Sequence, residues 1–290
     1  MNWSGLEKQL SARLKSEVGP LTVTPISGGN INQAYQLKGE DSQFFVKTNR
    51  SELMSMFEAE RTGLDTIRAT QTIRVPEVFA TGVEQDQAYI VMEYIDLDGS
   101  PAPERLAQNL AGMHACIRSQ FGFHCDNTIG STPQSNSRCD DWVEFWQGQR
   151  LGFLLEVATQ RGFAVELIDT GHRLNERMAA FFISYQPKAS LLHGDLWSGN
   201  WSANAAGEPV IYDPACYYGD HEADLAMMEL FGGPGERFFA VYREHFPIDV
   251  GYEQRRDFYN LYHIFNHALL FGGSYLSQTR HTMERLLALT

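Results

Sequence analysis

Apolar residues Trp3, Leu6, Leu10, Leu14 and Val18 recur at the spacing of one helical face, and Gly19-Pro20 breaks the pattern. The chain is therefore expected to open on a helix packed by one side. The period then shortens. Residues 21–26 read as a strand, Ser27-Gly28-Gly29-Asn30 as a turn, and 34–37 and 44–47 as two strands joined by the polar turn Gly39-Glu40-Asp41-Ser42. Ser51 is placed to cap a helix running to about Thr70, with Leu53, Phe57, Leu64 and Ile67 on its apolar face. Two more strands are expected near 78–83 and 88–94.

The segment from Asp96 to Pro103, rich in Asp, Gly and Pro, reads as a linker, and beyond it the text turns helical: 104–117, 142–160, 167–185, 222–231, 253–270 and 282–289. Between 167–185 and 222–231, the stretch 191–213 differs. Two short apolar runs, Leu191-Leu192 and Val210-Ile211-Tyr212, each deliver a charged residue into a loop. The expectation is an α+β fold with two lobes, 1–95 as a small antiparallel sheet and 96–290 as a larger, mainly helical part.

Composition changes this picture little. The chain has 290 residues, 43% hydrophobic and 20% charged, enough for a sizeable core without metals or cross-links. The net charge of -13 argues against a nucleic-acid partner, so an anionic ligand needs a local positive site. Cys116, Cys125, Cys139 and Cys216 form no C-x-x-C pair, and the opening residues are too charged for a signal or membrane segment, so the expected setting is the cytoplasm. Oligomeric state is left open.

The chemistry concentrates in Leu191-Leu192-His193-Gly194-Asp195-Leu196-Trp197-Ser198-Gly199-Asn200 and in Tyr212-Asp213-Pro214. Taken singly, Asp195, Asn200 and Asp213 are ordinary turn residues. Jointly and in this order they meet what phosphoryl transfer requires: a carboxylate to accept the proton of an attacking hydroxyl, and oxygen ligands for the Mg²⁺ that neutralises phosphate charge. His193-x-Asp195-Leu196-x-x-x-Asn200 follows the protein-kinase loop H-R-D-L-x-x-x-N except at the arginine, and Asp213 stands where the D-F-G aspartate falls. The fold is thus expected to be protein-kinase-like. Gly194 and Asp213-Pro214 depart from phosphorylation-controlled kinases and resemble the aminoglycoside and choline kinase branch.

The first lobe offers an independent check, because a kinase site also needs a lysine held by a helix carboxylate. Lys47 lies on a predicted strand, and Glu60 falls within the apolar stripe of the next helix, where a carboxylate is costly unless paired; Glu58 projects away. Lys47 and Glu60 are the expected pair. Gly28, Gly29, Asn30, Ile31 and Asn32 form a loop whose backbone N–H groups suit phosphates, although a Gly-Gly pair alone is weak and no Walker A pattern occurs. Met92, Glu93 and Tyr94, at the end of the lobe's last strand, read as the backbone hinge for adenine. His114 reads as a core histidine and His193 as a brace for the loop.

With these motifs in view the chain resembles the fructosamine kinase (ketosamine 3-kinase) family over about 20–280. GGNIN, FFVK, FEAE, VMEYI, FGFHCDNTIGSTPQSN, LLHGDLWSGN, YDPACYYGDHEADLAM and LYHIFNHALLFGGSY carry the likeness. The resemblance implies transfer of the ATP γ-phosphate to the 3-hydroxyl of a ketosamine, after which the adduct falls apart and the amine is freed. It implies Asp195 as base, Asn200 and Asp213 as Mg²⁺ ligands, Lys47 with Glu60 as the phosphate-positioning pair, and 28–32 as the phosphate loop. Trp197, Tyr217, Tyr218 and Glu222 are expected to touch the acceptor from their place beside the loops. Some relatives carry a cysteine where this chain has Asn30, so redox control through that loop is not expected to carry over. A kinase for another hydroxylated amine, or a nucleotide-binding pseudokinase, stays open as an alternative.

Overall fold

The computed structural model describes residues 3–15, 17–27, 31–97 and 99–290. Gly28, Gly29 and Asn30, three of the five residues of the expected phosphate loop, lie outside the described residues. The chain divides into two compact units, Met1–Pro101 with Ser202–Pro214, and Ala102–Trp201 with Ala215–Thr290.

The first unit is built on a five-stranded antiparallel sheet of order β1-β2-β3-β5-β4, formed by Thr22–Ile26, Gln33–Lys38, Gln43–Arg50, Val78–Glu84 (β4) and Gln87–Glu93 (β5). Helix α1, Trp3–Leu14, buries Leu6 and Leu10 against a cluster of Leu37, Phe44, Val46, Tyr89 and Val91. Val18 lies beyond the helix end, its N–H donating to Ser11 Oγ at 3.1 Å. Helix α2, Met54–Thr70, buries Phe57, Leu64 and Ile67 and stops at Gln71, which turns left-handed at φ 57°. The expected Ser51 cap is absent: Ser51–Leu53 is a 3-10 turn, and no side chain caps its start. Two strands return to this unit late in the chain, β10 at Trp201–Ala203, of which only Trp201 belongs to the other unit, and β11 at Pro209–Ile211. Arg74 bridges to Val210 and Gly99 to Ala203. These bridges carry Asp213 into the first unit.

The second unit is mainly helical. Pro103 opens helix α3, Pro103–His114, where its missing N–H costs nothing. A hairpin of β7 (Asn127–Ile129) and β8 (Thr132–Gln134) follows the short strand β6, Ile117–Arg118. Asp141 caps α4, Trp142–Trp146, by accepting the Glu144 N–H at 2.8 Å. The helix expected over 142–160 is interrupted by a π turn at Gln147–Leu151 before α5, Gly152–Gln160. Such turns displace one side chain from the regular ladder, and here Arg150 is carried to full burial. Helix α6, Val165–Arg177, leads to β9, Ala189–Leu192, the central strand of a three-stranded sheet β12-β9-β6 in which β12 is Tyr217–Gly219. Helices α7 (Glu222–Leu230), α8 (Glu236–His245), α9 (Tyr252–Phe271) and α10 (Ser274–Leu287) complete the unit. Phe145, Trp146, Phe258 and Tyr259 fill its core. Among the described residues no helix is long and apolar enough to cross a membrane.

Candidate active site

In the first unit Lys47 sits on β3, opposite Ala34 and Ile90. Its ammonium lies 2.7 Å from Glu60 Oε1 and 2.5 Å from Asp213 Oδ1. Lys47 and Glu60 are buried, whereas the Asp213 side chain is 44% exposed. Burial works against the Lys47 charge, but the carboxylates of Asp213 and Glu60 outweigh it and hold the ammonium well above its ordinary pKa. Burial also pushes the Glu60 carboxyl up, opposed by the Lys47 charge. Asp213 is left-handed at φ 61°, an uncommon conformation for a side-chain-bearing residue and one that clusters at functional positions. Asn49 ties the end of the 28–32 loop to β3, donating to Ile31 O at 3.0 Å and Asn32 Oδ1 at 2.7 Å. Met92 is buried and Tyr94 half-buried at the end of β5. The Glu93 carboxylate accepts from Arg74 at 2.5 Å, and its N–H donates to Glu77 O at 2.8 Å.

In the second unit the fully buried strand β9 delivers the loop that starts at His193. Gly194 takes φ 83°, and a Cβ there would lie 2.1 Å from Ala215 O, so only glycine fits. Asp224, on α7, accepts the N–H groups of His193 at 2.7 Å and Gly194 at 2.8 Å, and also meets His114 Nε2 at 3.2 Å. Burial opposes its charge, yet these donors hold its carboxyl below the ordinary range. The Asp195 N–H donates to His193 Nδ1 at 3.2 Å. Asn200 Nδ2 donates to Asp195 O at 2.8 Å and Asp195 Oδ2 at 3.2 Å, which fixes the carboxylate and turns the amide oxygen away from it. A tight, braced turn thus presents one half-buried carboxylate.

The fructosamine kinase family matches residues 2–289. A Synechocystis relative, provisionally named a ketoamine kinase, is 41% identical over 98% of this chain and 97% of its own length. The chain belongs to the fructosamine kinase family. The chloroplastic protein-ribulosamine 3-kinase of Oryza sativa subsp. japonica is 45% identical, over 91% of this chain and 78% of its own. Among solved structures, a Haemophilus somnus protein provisionally named a fructosamine-3-kinase superposes with a TM-score of 0.89 at 26% identity, covering 98% of this chain and 97% of that one. A thermostable aminoglycoside phosphotransferase superposes with a TM-score of 0.65 at 14% identity, over 98% of both chains, which shows the shared kinase-like α+β fold alone.

Within this family member, two of the residues expected at the acceptor do something else. Glu222 is fully buried, with Oε2 and Oε1 taking Arg255 Nε at 2.7 Å and Nη2 at 3.0 Å, which leaves its carboxylate to the core. Tyr217 is 3% exposed, and the Arg150 guanidinium lies 4.1 Å over its ring, so it too is a core brace. Trp197 is 39% exposed and packs edge-on against Phe231, and Tyr218 is half-buried with its hydroxyl accepting from Arg118 Nε at 3.4 Å. Asp224 was not singled out from sequence. Its signal lies in Asp220-His221-Glu222-Ala223-Asp224, three acids crowded at the mouth of a helix that continues Leu225-Ala226-Met227-Met228, where each needs a buried donor.

Among the described residues no three His, Cys, Asp or Glu side chains gather to hold a metal by themselves. That suits Mg²⁺, which is ordinarily completed by phosphate oxygens and water around one or two protein oxygens. The half-exposed Asp213 carboxylate is an oxygen of that kind, while Asn200 is buried with its amide nitrogen on Asp195.

Proposed function

We propose that this chain transfers the γ-phosphate of ATP to the 3-hydroxyl of a ketosamine, free or carried on a protein, in the cytoplasm. The observation that carries the reading is the buried Lys47 ammonium held by Glu60 at 2.7 Å and by Asp213 at 2.5 Å. A lysine clamped this way stays charged and fixed in direction, as a group that must orient phosphate oxygens requires. Names borne by the Synechocystis and rice relatives support the ketosamine as acceptor.

In this reading Asp195 accepts the proton of the attacking hydroxyl, and Asn200 keeps its carboxylate aimed. Asn200 and Asp213 are the candidate Mg²⁺ ligands, and the ion would supply neutralising charge to the phosphates. Gly28 to Asn32 cover the phosphates with backbone N–H groups, and the backbone of Met92 to Tyr94 meets the adenine. We assign nucleotide recognition to 1–95 together with Asp213, and acceptor recognition to the rest, with Trp197 and Tyr218 as walls. The phosphorylated adduct then decomposes and the amine is released.

The test is ATP turnover over ribulosamine, fructosamine and aminoglycoside acceptors, with the position of the new phosphate read by ³¹P and ¹³C NMR. Phosphorylation at the third carbon of the ketosamines is expected; turnover on aminoglycosides alone would falsify the assignment. Asp195→Ala is expected to lower kcat about 10²- to 10⁴-fold while leaving nucleotide affinity and Tm near wild type. Unchanged kcat removes Asp195 from the role of base.

A further inference from the structure

Aromatic rings left in water are not scattered over this chain. Among the described residues the exposed large aromatics are Trp197, Phe231 and Phe271, at 39%, 41% and 56%. All three fall in one run within the second unit. Trp197 meets Phe231 edge-on with ring centres 6.2 Å apart, Phe231 meets His267 at 5.7 Å, and His267 meets Phe271 at 5.7 Å and Tyr275 at 5.0 Å. The run joins the loop after β9, the end of α7, the C-terminal end of α9 and the start of α10. Single exposed apolar side chains are ordinary, whereas a contiguous set marks an interaction surface.

This run begins beside the candidate base. Asn200 ties Trp197 to Asp195, its N–H donating to Trp197 O at 2.9 Å and its Nδ2 to Asp195 O at 2.8 Å. The Trp197 ring lies on Gly199, 2.3 Å from where a Cβ would stand, and Ser198 Oγ donates to Phe231 O at 3.4 Å. Trp197 is therefore a fixed wall of the loop, although water reaches it. Burial lowers the His267 pKa, so at neutral pH the rings carry no charge of their own.

We infer that these rings are a docking ledge for the peptide that carries a glycated lysine, taking up an apolar or aromatic side chain next to that lysine. This rests on the ketosamine reading and adds how a protein-bound acceptor is recognised. In a ketosamine the amine is on the first carbon and the reacting hydroxyl on the third. With that hydroxyl at Asp195, the amine end leaves past Trp197, two residues along the same loop. A small free ketosamine ends there. A glycated lysine adds a four-carbon stem and a backbone, and Phe231, His267, Phe271 and Tyr275 give these a surface continuous with the acceptor wall. The net charge of -13 disfavours an acidic carrier, so a neutral or basic peptide with apolar neighbours is the partner that fits.

The experiment measures KM for one ketose carried on methylamine, on the lysine of a short neutral peptide with phenylalanine on each side, and on the same peptide with alanine there instead. Wild type is expected to show a KM about three- to tenfold lower for the phenylalanine peptide than for the alanine one, the worth of an aromatic pair. Phe271→Ala is expected to erase that difference while kcat, KM for ATP and KM for the methylamine acceptor stay at wild-type values. Phe231→Ala is expected to erase it as well. Equal KM for the two peptides with wild type overturns the ledge, and so does a Phe271→Ala variant that shifts all three acceptors alike. Sedimentation velocity on the same samples adds one more outcome: a wild-type dimer made monomeric by Phe271→Ala, with the peptide preference intact, gives the rings to a second copy of this chain and overturns the ledge. Wild type that phosphorylates none of the three overturns instead the reading beneath it. Should either variant fail to fold, the peptide pair on wild type decides alone.

Discussion

Two clusters of buried charge, one in each unit, are built on opposite terms. In the first, Lys47 serves two carboxylates at once, and one of them, Asp213, stays 44% exposed on a strained backbone. In the second, Asp220, Glu222 and Asp224 are sealed at the start of α7 and saturated. Asp220 takes the hydroxyls of Tyr259 at 2.5 Å and Tyr185 at 2.9 Å, Glu222 takes Arg255, and Asp224 takes the turn that carries Asp195. An open cluster can exchange a partner for a ligand without unfolding; a sealed one cannot, and its return is a fixed shape. Charges of the first kind are expected to govern turnover, and of the second kind stability.

The most damaging change expected to the sealed cluster is Arg255→Met. It leaves Glu222 buried without its guanidinium, which costs about 3–5 kcal/mol and lowers Tm by roughly 10 °C in a chain of this size. Arg255→Met/Glu222→Met should recover most of that loss, because a well-packed apolar pair replaces an ion pair at little net cost. Activity per folded molecule at permissive temperature is expected to stay within a few-fold. A Tm within 2 °C of wild type for the single variant places the strength of the cluster elsewhere.

Histidines sharpen the same contrast through pH. Burial drives His221 and His263 down to about 3, against 6.5 when exposed. His221 faces His114, Asp220, Asp224 and Arg255, and the charges around it do not offset its desolvation. Below 6.5 the unfolded chain binds protons that the folded chain refuses, so stability is complete above that pH and falls as pH drops toward 3. Each histidine accounts for about 1.4 kcal/mol between roughly pH 7.5 and 5.5, about 3 together. Thermal melts across that window check it, and a flat Tm removes both from the ledger of acid sensitivity.

How far the sequence could be read follows from the same distinction. The Lys47–Glu60 pair was legible because Glu60 stood out as a carboxylate inside an apolar stripe that must find a partner, and Asp195, Asn200 and Asp213 stood out as candidates by residue type and spacing. The core sheet and most helices were legible from period. Glu222 and Tyr217 were misread because nearness to the loop in sequence says nothing about which way a side chain points; Arg255 and Arg150, which claim them, lie 33 and 67 positions away. The π turn at Gln147–Leu151 was invisible, since its text is ordinary helix and only Gly152, whose Cβ would lie 2.0 Å from Gln147 O, permits it. Helix α8 was passed over, and α10 begins eight residues before its expected start because Gly272-Gly273 ends one helix and admits another at once.

The smallest change expected separates the open cluster from the sealed one most finely. Glu60→Gln keeps size and a hydrogen-bond acceptor beside Lys47 but removes one of its two negative partners. Asp213 alone then balances the ammonium. In a sealed cluster that loss would appear as unfolding, whereas here the half-exposed Asp213 and solvent absorb it, and the buried carboxylate that burial already disfavours is gone. Tm is therefore expected to hold or rise slightly. In the proposed function what suffers is the division of labour: Asp213, drawn more tightly to Lys47, would be less available to a metal, and Lys47 less firmly aimed at phosphate. The expected result is kcat/KM for ATP lowered about tenfold, equivalent to about 1.4 kcal/mol, with partial recovery at raised Mg²⁺. A Tm loss as large as that of Arg255→Met, with kcat/KM unchanged, would show that Lys47 and Glu60 form a structural pair and that the two clusters do not differ in kind.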